Sequence, residues 1–234
     1  MSTVMKAYRE VGQSTTSPVE NTQRKEVEVE VYIGENGYVQ NAGFTIKPIA
    51  ALEKTKLDGP KAIVLHRTEE GGLQSAFNSA KASGLGTHFY VDKDGTVYQT
   101  VSLLNHTNHV GKIKSRCMAD GTCPADETKL IKGWGWSPTK VYNHEKVKAY
   151  PERYPMNADS VGIETVSDCI KNCKEKDKGT PEWEPPTPEQ KASIATIVGI
   201  LKKEYGLTDA DIYEHDDISY KTEGEGAGLY DYGE

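Results

Sequence analysis

The residues best equipped for chemistry lie around His215. His215 and Glu223 share one short polar loop, both side chain types ligate metal ions, and Lys221 stands between them as a fixed positive charge. A histidine and a carboxylate from one loop can supply two of the three protein ligands of a catalytic zinc, leaving the fourth position open to water. Alone, such a trio is equally at home in a solvated acidic loop. What singles it out is a second histidine, His66, at the end of the apolar run Ala62-Ile63-Val64-Leu65. A histidine there also reads as a core residue with satisfied hydrogen bonds. Arg67, Glu69 and Glu70 follow it, however, so the run emerges into a polar rim, as the end of an active-site strand would.

Several elements must position these groups. Residues 62–66 form the short apolar run of a buried strand. Ser160–Val166 (SVGIETV) is another strand, with Val161 and Ile163 on one face and Gly162 and Glu164 on the other. Ile212 and Tyr213 make a strand that ends at His215. Thr87–Val91 and Thr96–Thr100 flank Lys93-Asp94-Gly95, a hairpin turn. In the first of them His88 alternates with Phe89 and reads as structural. Helices are expected at 72–83, where Leu73, Ala76, Phe77 and Ala80 share a face, and after Thr187-Pro188-Glu189, where Ile194, Ile197, Val198 and Leu201 do so up to Gly206. A short helix is predicted over 48–56. The segment 105–159 reads as mostly loop with one short helix over 140–149, and 168–186 as a second polar insertion. Upstream, KEVEVEVYI alternates strictly, placing Val27, Val29, Val31 and Ile33 on one face. The turn Glu35-Asn36-Gly37 then returns the chain as a hairpin.

The expected fold class is therefore α/β: a single domain with a central mixed β-sheet flanked by helices, an N-terminal hairpin and long loop insertions. The expected divisions are a flexible tail over 1–25, rich in Ser, Thr, Gln and Glu, a hairpin extension over 26–59, and a catalytic domain over 60–228. A net charge of −7 without a basic, aromatic-interleaved stripe disfavours nucleic acid. No apolar run is long enough to span a bilayer, and the N-terminus lacks the apolar segment of a secretory signal. Cys117, Cys123, Cys169 and Cys173 lie in polar loops. They could be reduced thiols or a four-thiolate zinc site. Disulfides, in any of three connectivities, are the favoured reading, because both pairs sit in long loops that need tethering and neither has C-x-x-C spacing. Disulfides would imply an oxidising compartment.

The segments IVLHRT, GTHFYVDKDGTVYQ, NHVGK, DSVGIE and EHDDISYKTEG occur in this order over roughly residues 60–225. This order resembles the zinc-dependent N-acetylmuramoyl-L-alanine amidases, whose fold is shared with phage lysozyme-type amidases and peptidoglycan recognition proteins. The details HRT, YQT, the cysteine-bearing insertion and YEHDDISYKTEGEGAGLY are similar to type VI secretion amidase effectors. The resemblance implies a Zn2+ cofactor held by His66, His215 and Glu223. Glutamate at the last position departs from the usual aspartate or cysteine. It implies Lys221 as the oxyanion-stabilising lysine, Glu164 as general base and His109 as a substrate-facing histidine. Where some members carry a tyrosine, this chain has Thr87, which leaves the base role with Glu164. Peptidoglycan and its muropeptides are the implied substrate, hydrolysed in the periplasm of a target Gram-negative cell. An immunity protein and a secretion-apparatus protein are the implied partners. The other readings are a non-catalytic peptidoglycan-binding module and a cytoplasmic recycling enzyme or phage endolysin.

Overall fold

Six consecutive residues at 62–67 are buried, as a parallel strand covered on both faces requires. The structure, a computed structural model, describes residues 3–10, 24–57, 59–173 and 179–233. In chain order the elements are β1 (Thr3–Glu10), β2 (Arg24–Ile33), β3 (Val39–Gln40), β4 (Thr45–Ile46), β5 (Ala62–Arg67), α1 (Leu73–Ser83), β6 (Phe89–Val91) and β7 (Val97–Gln99). There follow α2 (Arg116–Asp120), α3 (Ala125–Gly133), α4 (Pro138–Glu145), β8 (Ser160–Thr165), β9 (Cys169–Lys171), β10 (Glu182–Trp183), α5 (Pro188–Tyr205), β11 (Ile212–Glu214) and α6 (His215–Ile218). A six-stranded sheet has the order β11-β5-β8-β6-β7-β4. Its first four strands are parallel, β7 is antiparallel to β6, and β4 is parallel to β7. This is the mixed, helix-flanked sheet that the alternating pattern predicts.

The period of two divides every central strand between two jobs. Ile63 and Leu65 of β5, Val161 and Ile163 of β8, and Phe89 and Val91 of β6 share one core with Ile194, Ile197, Val198 and Leu201 of α5. Each of those helix side chains, fully buried, contributes about 1.5–3 kcal/mol. α5 starts where the sequence says it should. Thr187 accepts from the Gln190 backbone N–H, the Gln190 side chain accepts from the Thr187 N–H, and Pro188 opens the first turn. On the opposite face, Tyr90 packs with Ala76, Phe77 and Ala80 of α1, and Val64 packs with Val110, Ile113, Tyr154 and Ile218. His66 and Glu164 follow Val64 and Gly162 on this second face.

Strand register sets their spacing. His66 lies opposite Glu164, and Glu164 opposite Tyr90. Glu214 lies opposite Leu65, so His215 comes one residue later, level with His66. The row sits at the carboxyl ends of the parallel strands, where ligands bind open α/β sheets.

Four expectations are corrected. Thr3–Glu10, expected within a flexible tail, forms β1 and pairs antiparallel with β2; residues 11–23 lie outside the described residues. The predicted hairpin is present as the β2–β3 pair, but its segment is no separate extension, because Val31, Val39 and Leu57 belong to the main core. Residues 48–56 form turns rather than a helix. There Lys54 N–H bonds the His106 carbonyl and His106 N–H the Thr55 carbonyl, so the backbone pairs with the 104–106 segment instead. The 105–159 segment carries three short helices, α2 to α4, rather than one. The cysteines pair within each insertion, Cys117 with Cys123 and Cys169 with Cys173, at Cα separations of 4.6 and 6.1 Å that suit disulfides.

Candidate active site

A pocket of about 590 Å³ opens on the row at the strand ends. His66, Arg67, His109, Glu164, His215, Lys221 and Glu225 are among its lining residues. Two of the predicted donors meet at its floor. His66 and His215 are each at most 2% exposed, and their ring centroids are 4.1 Å apart. The predicted third donor, Glu223, does not join them. It is exposed, and its backbone carbonyl accepts from the Trp183 indole N–H at 2.9 Å. Glu225 instead turns inward. Its Oε1 lies 2.7 Å from His215 Nδ1 and 3.7 Å from His66 Nδ1. Ligand atoms of His66, His215 and Glu225 all lie within 4.8 Å of one another.

The loop is built to present Glu225. Gly224 takes a φ of 78°, and Glu225 N–H closes a turn onto the Thr222 carbonyl, so Glu223 and Glu225 do not share a face. The Asp216 carboxylate accepts from the N–H groups of both flanking glycines, Gly224 at 2.7 Å and Gly226 at 2.9 Å. From the other side, the Arg67 guanidinium donates to the carbonyls of Gly224 and Glu225 at 2.9 and 3.0 Å while lying over the Trp183 ring. A Cβ at Gly226 would come within 2.7 Å of the backbone at Glu214 and His215, so only glycine allows the loop to seat there. The glycines on both sides of Glu225 were the one signal in the sequence that this acid, and not its neighbour, sits where the backbone packs tightly. Asp216 and Arg67 had no such signal. Arg67→Ala is expected to keep the fold and to weaken metal binding about 10- to 100-fold, because the carbonyls next to Glu225 lose their shared donor. Competition with a coloured chelator would measure this; an unchanged affinity would reject the clamp.

Electrostatics agree with a cation site. Burial, followed by the neighbouring His215, holds the His66 pKa down to about 3, so its ring is neutral at pH 7. Burial alone would raise Glu225, but the neighbouring His215 and His66 hold it well below the usual carboxylate range. His215 Nε2 lies 2.9 Å from the Val110 carbonyl, which can only accept, so Nε2 carries a proton and Nδ1 is the nitrogen turned to Glu225. Two imidazoles with one carboxylate, buried and converging on one point, are a donor set that fits a zinc ion.

The remaining predicted residues fall in several places. Glu164 faces the pocket, and burial followed by the nearby Glu225 pushes its pKa up to about 8, with Lys221 opposing. Lys221 is exposed at the rim of the same pocket. The Thr87 hydroxyl donates to the Phe89 carbonyl at 2.9 Å and is spent on structure. His88 is fully buried between the Asn105 carbonyl and the Gly162 N–H, as a structural histidine should be. His109 lines the pocket, yet its ring is engaged at both nitrogens, by His66 at 3.0 Å and by Ser160 at 3.2 Å.

The family model for N-acetylmuramoyl-L-alanine amidase matches residues 56–226. The chain belongs to this amidase family. Its members are peptidoglycan-cleaving enzymes, and the resemblance carried by the ordered motifs is borne out at this level. A comparison with curated protein sequences finds no match. Among solved structures, the amidase is similar to a selenomethionine derivative of AmpD, at 15% identity and a TM-score of 0.52, covering 84% of this chain and 93% of that one. It is also similar to the amidase LysC from Clostridium intestinale URNW, at 21% identity and a TM-score of 0.41, covering 74% and 84%. A third is the E. coli amidase AmiD in complex with an anhydro-N-acetylmuramic acid peptide, at 16% identity and a TM-score of 0.44, covering 80% and 57%. At such identities the AmpD likeness speaks for the fold. The roles of individual residues rest on the geometry above.

Proposed function

We propose that this amidase is a zinc hydrolase of the bond between the lactyl group of N-acetylmuramic acid and L-alanine, acting as a secreted antibacterial effector of the type VI kind. The observation that carries the zinc part is the buried convergence of His66, His215 and Glu225 on the pocket floor. Zinc held by these three residues would lower the pKa of a bound water toward about 7 and polarise the substrate carbonyl.

The chain's own residues supply the proton handling. Glu164 projects from the strand next to His66, so its carboxylate can take a proton from the attacking water as the new C–O bond forms. It can return that proton to the amide nitrogen as the C–N bond breaks, which leaves a neutral amine and regenerates the carboxylate. Lys221 at the rim places a positive charge toward the oxygen on which negative charge develops. Arg67 and Asp216 act through the loop, holding Glu225 in place.

The effector part is supported by the resemblance in the cysteine-bearing insertion and by two disulfides, which belong to an oxidising compartment such as the periplasm. An immunity protein occupying the pocket and a secretion-apparatus partner go with that reading. Incubating the zinc-loaded protein with purified sacculi should release peptides with new N-terminal L-alanine, and a chelator should stop this. Directing the chain to the periplasm should lyse a Gram-negative host, while cytoplasmic expression should not. Absence of new N-terminal alanine would end the amidase reading, and equal harmlessness in both compartments would end the effector reading.

A further inference from the structure

We infer that Ser160 and His109 form a positioning relay that selects the tautomer of His66 and turns its Nδ1 lone pair toward His215 and Glu225. The inference rests on the zinc reading of this cluster and changes the part assigned to His109, from a substrate-facing group to a group acting through the first histidine.

The direction of the relay follows from counting protons. The Ser160 hydroxyl has one proton, and it lies 2.9 Å from the Met156 carbonyl, which can only accept. Ser160 Oγ therefore meets His109 Nε2, 3.2 Å away, as an acceptor, and Nε2 carries the ring proton. A neutral imidazole has one N–H, so His109 Nδ1 is left as an acceptor. It stands 3.0 Å from His66 Nε2, which must then be the protonated nitrogen of His66. That leaves His66 Nδ1 as a lone pair, and it faces Glu225 Oε1 at 3.7 Å. Two acceptors face each other there without a proton between them, as a cation's ligands do. Run backwards, the relay would strip the Met156 carbonyl of its donor and place a proton on the nitrogen meant for the metal.

The backbone holds the relay in this geometry. His109 and Val110 N–H groups both donate to Asn157 Oδ1, at 3.0 and 2.8 Å. The Val110 carbonyl in turn accepts from His215 Nε2 at 2.9 Å. One dipeptide thus orients both histidines, His66 through a ring and His215 through a carbonyl. Gly162 makes room for it, since a Cβ there would come within 2.8 Å of His109 Nδ1. Partners of this kind around a metal-bound histidine typically change metal affinity by about 10- to 100-fold when removed.

Long-range 15N–1H correlation spectra of the zinc-free protein at pH 7 test the relay without any substitution. They should show Nε2 protonated and Nδ1 unprotonated in both His66 and His109. A protonated His66 Nδ1 would overturn the proposal. Ser160→Ala, which does not line the pocket, should weaken zinc binding about 10- to 100-fold, and so should His109→Phe, with the melting temperature of each zinc-free variant reporting that it is folded. Zinc affinity within twofold of the parent in folded Ser160→Ala, or a change confined to KM in His109→Phe, would overturn it as well. None of the metal measurements contains substrate, so their failure stays separate from failure of the amidase reading, which the sacculus assay decides.

Discussion

Glu164→Gln is expected to keep the fold and bind zinc while losing amide hydrolysis by about 10²–10⁴-fold, the usual contribution of a positioned proton carrier. Glutamine preserves the size and the hydrogen-bonding reach of the side chain but can neither take the proton from water nor return it to nitrogen. A second signature accompanies the loss. In the zinc-free protein the Glu164 carboxyl is pushed from 4.5 up to about 8 by burial and by Glu225, so its ionised form is disfavoured by folding. The unfolded chain releases that proton near pH 4.5 and the folded one near pH 8. Stability therefore declines as pH rises across that window. The glutamine variant carries no such penalty, and its zinc-free form should be more stable than the parent at pH 8, with no advantage at pH 4. Muropeptide hydrolysis, zinc content and melting temperatures at the two pH values measure all three effects. Retained hydrolysis would move the proton carrier elsewhere, and a variant without zinc would show Glu164 to be part of the ligand set.

Glu225→Gln and Glu223→Gln should behave oppositely, although the two residues are separated only by Gly224. Removing the Glu225 charge takes the carboxylate out of a buried site shared with two imidazoles, and zinc affinity should fall by on the order of 10²-fold or more, with activity following it. The same change at Glu223 alters an exposed carboxylate whose only described bond is through its backbone, so zinc affinity should stay within about twofold. Isothermal titration with zinc separates the two. A reversed order would restore Glu223 as the third donor. Glu225 also shapes the acid side of stability. Held below its ordinary value by His215 and His66, its carboxylate stabilises the zinc-free fold above about pH 4.5, and that contribution disappears as pH falls further.

Much of this site was legible in one dimension because strand geometry is periodic. The alternation in SVGIETV places Glu164 on the face away from Val161 and Ile163, and the structure keeps it there. The apolar run into His66 reads as a buried parallel strand, and it is one. Helix α5 could be drawn almost residue by residue from Thr187-Pro188 to Gly206, since its capping box and its left-handed end are local features. Less regular segments gave way. The 48–56 stretch has helical spacing, but its backbone groups find partners in a distant segment, which no local pattern contains. In 105–159, α2 has five residues, too few to show a period, and α3 buries only Ile131, so it has no apolar face to read.

What the amino-acid order determined by itself was the set of donors and the strands that carry them, because side-chain type and the two-residue repeat of a strand are properties of neighbours along the chain. What only the folded chain decided was which of the two glutamates flanking Gly224 turns inward and which nitrogen of each histidine faces it. The first depends on a glycine turn gripped by Asp216 and Arg67 from opposite sides, and the second on carbonyls of Met156 and Val110 reached across the fold. Contacts of that kind join residues far apart in sequence, so they come into being only when the sheet brings its strand ends to one edge.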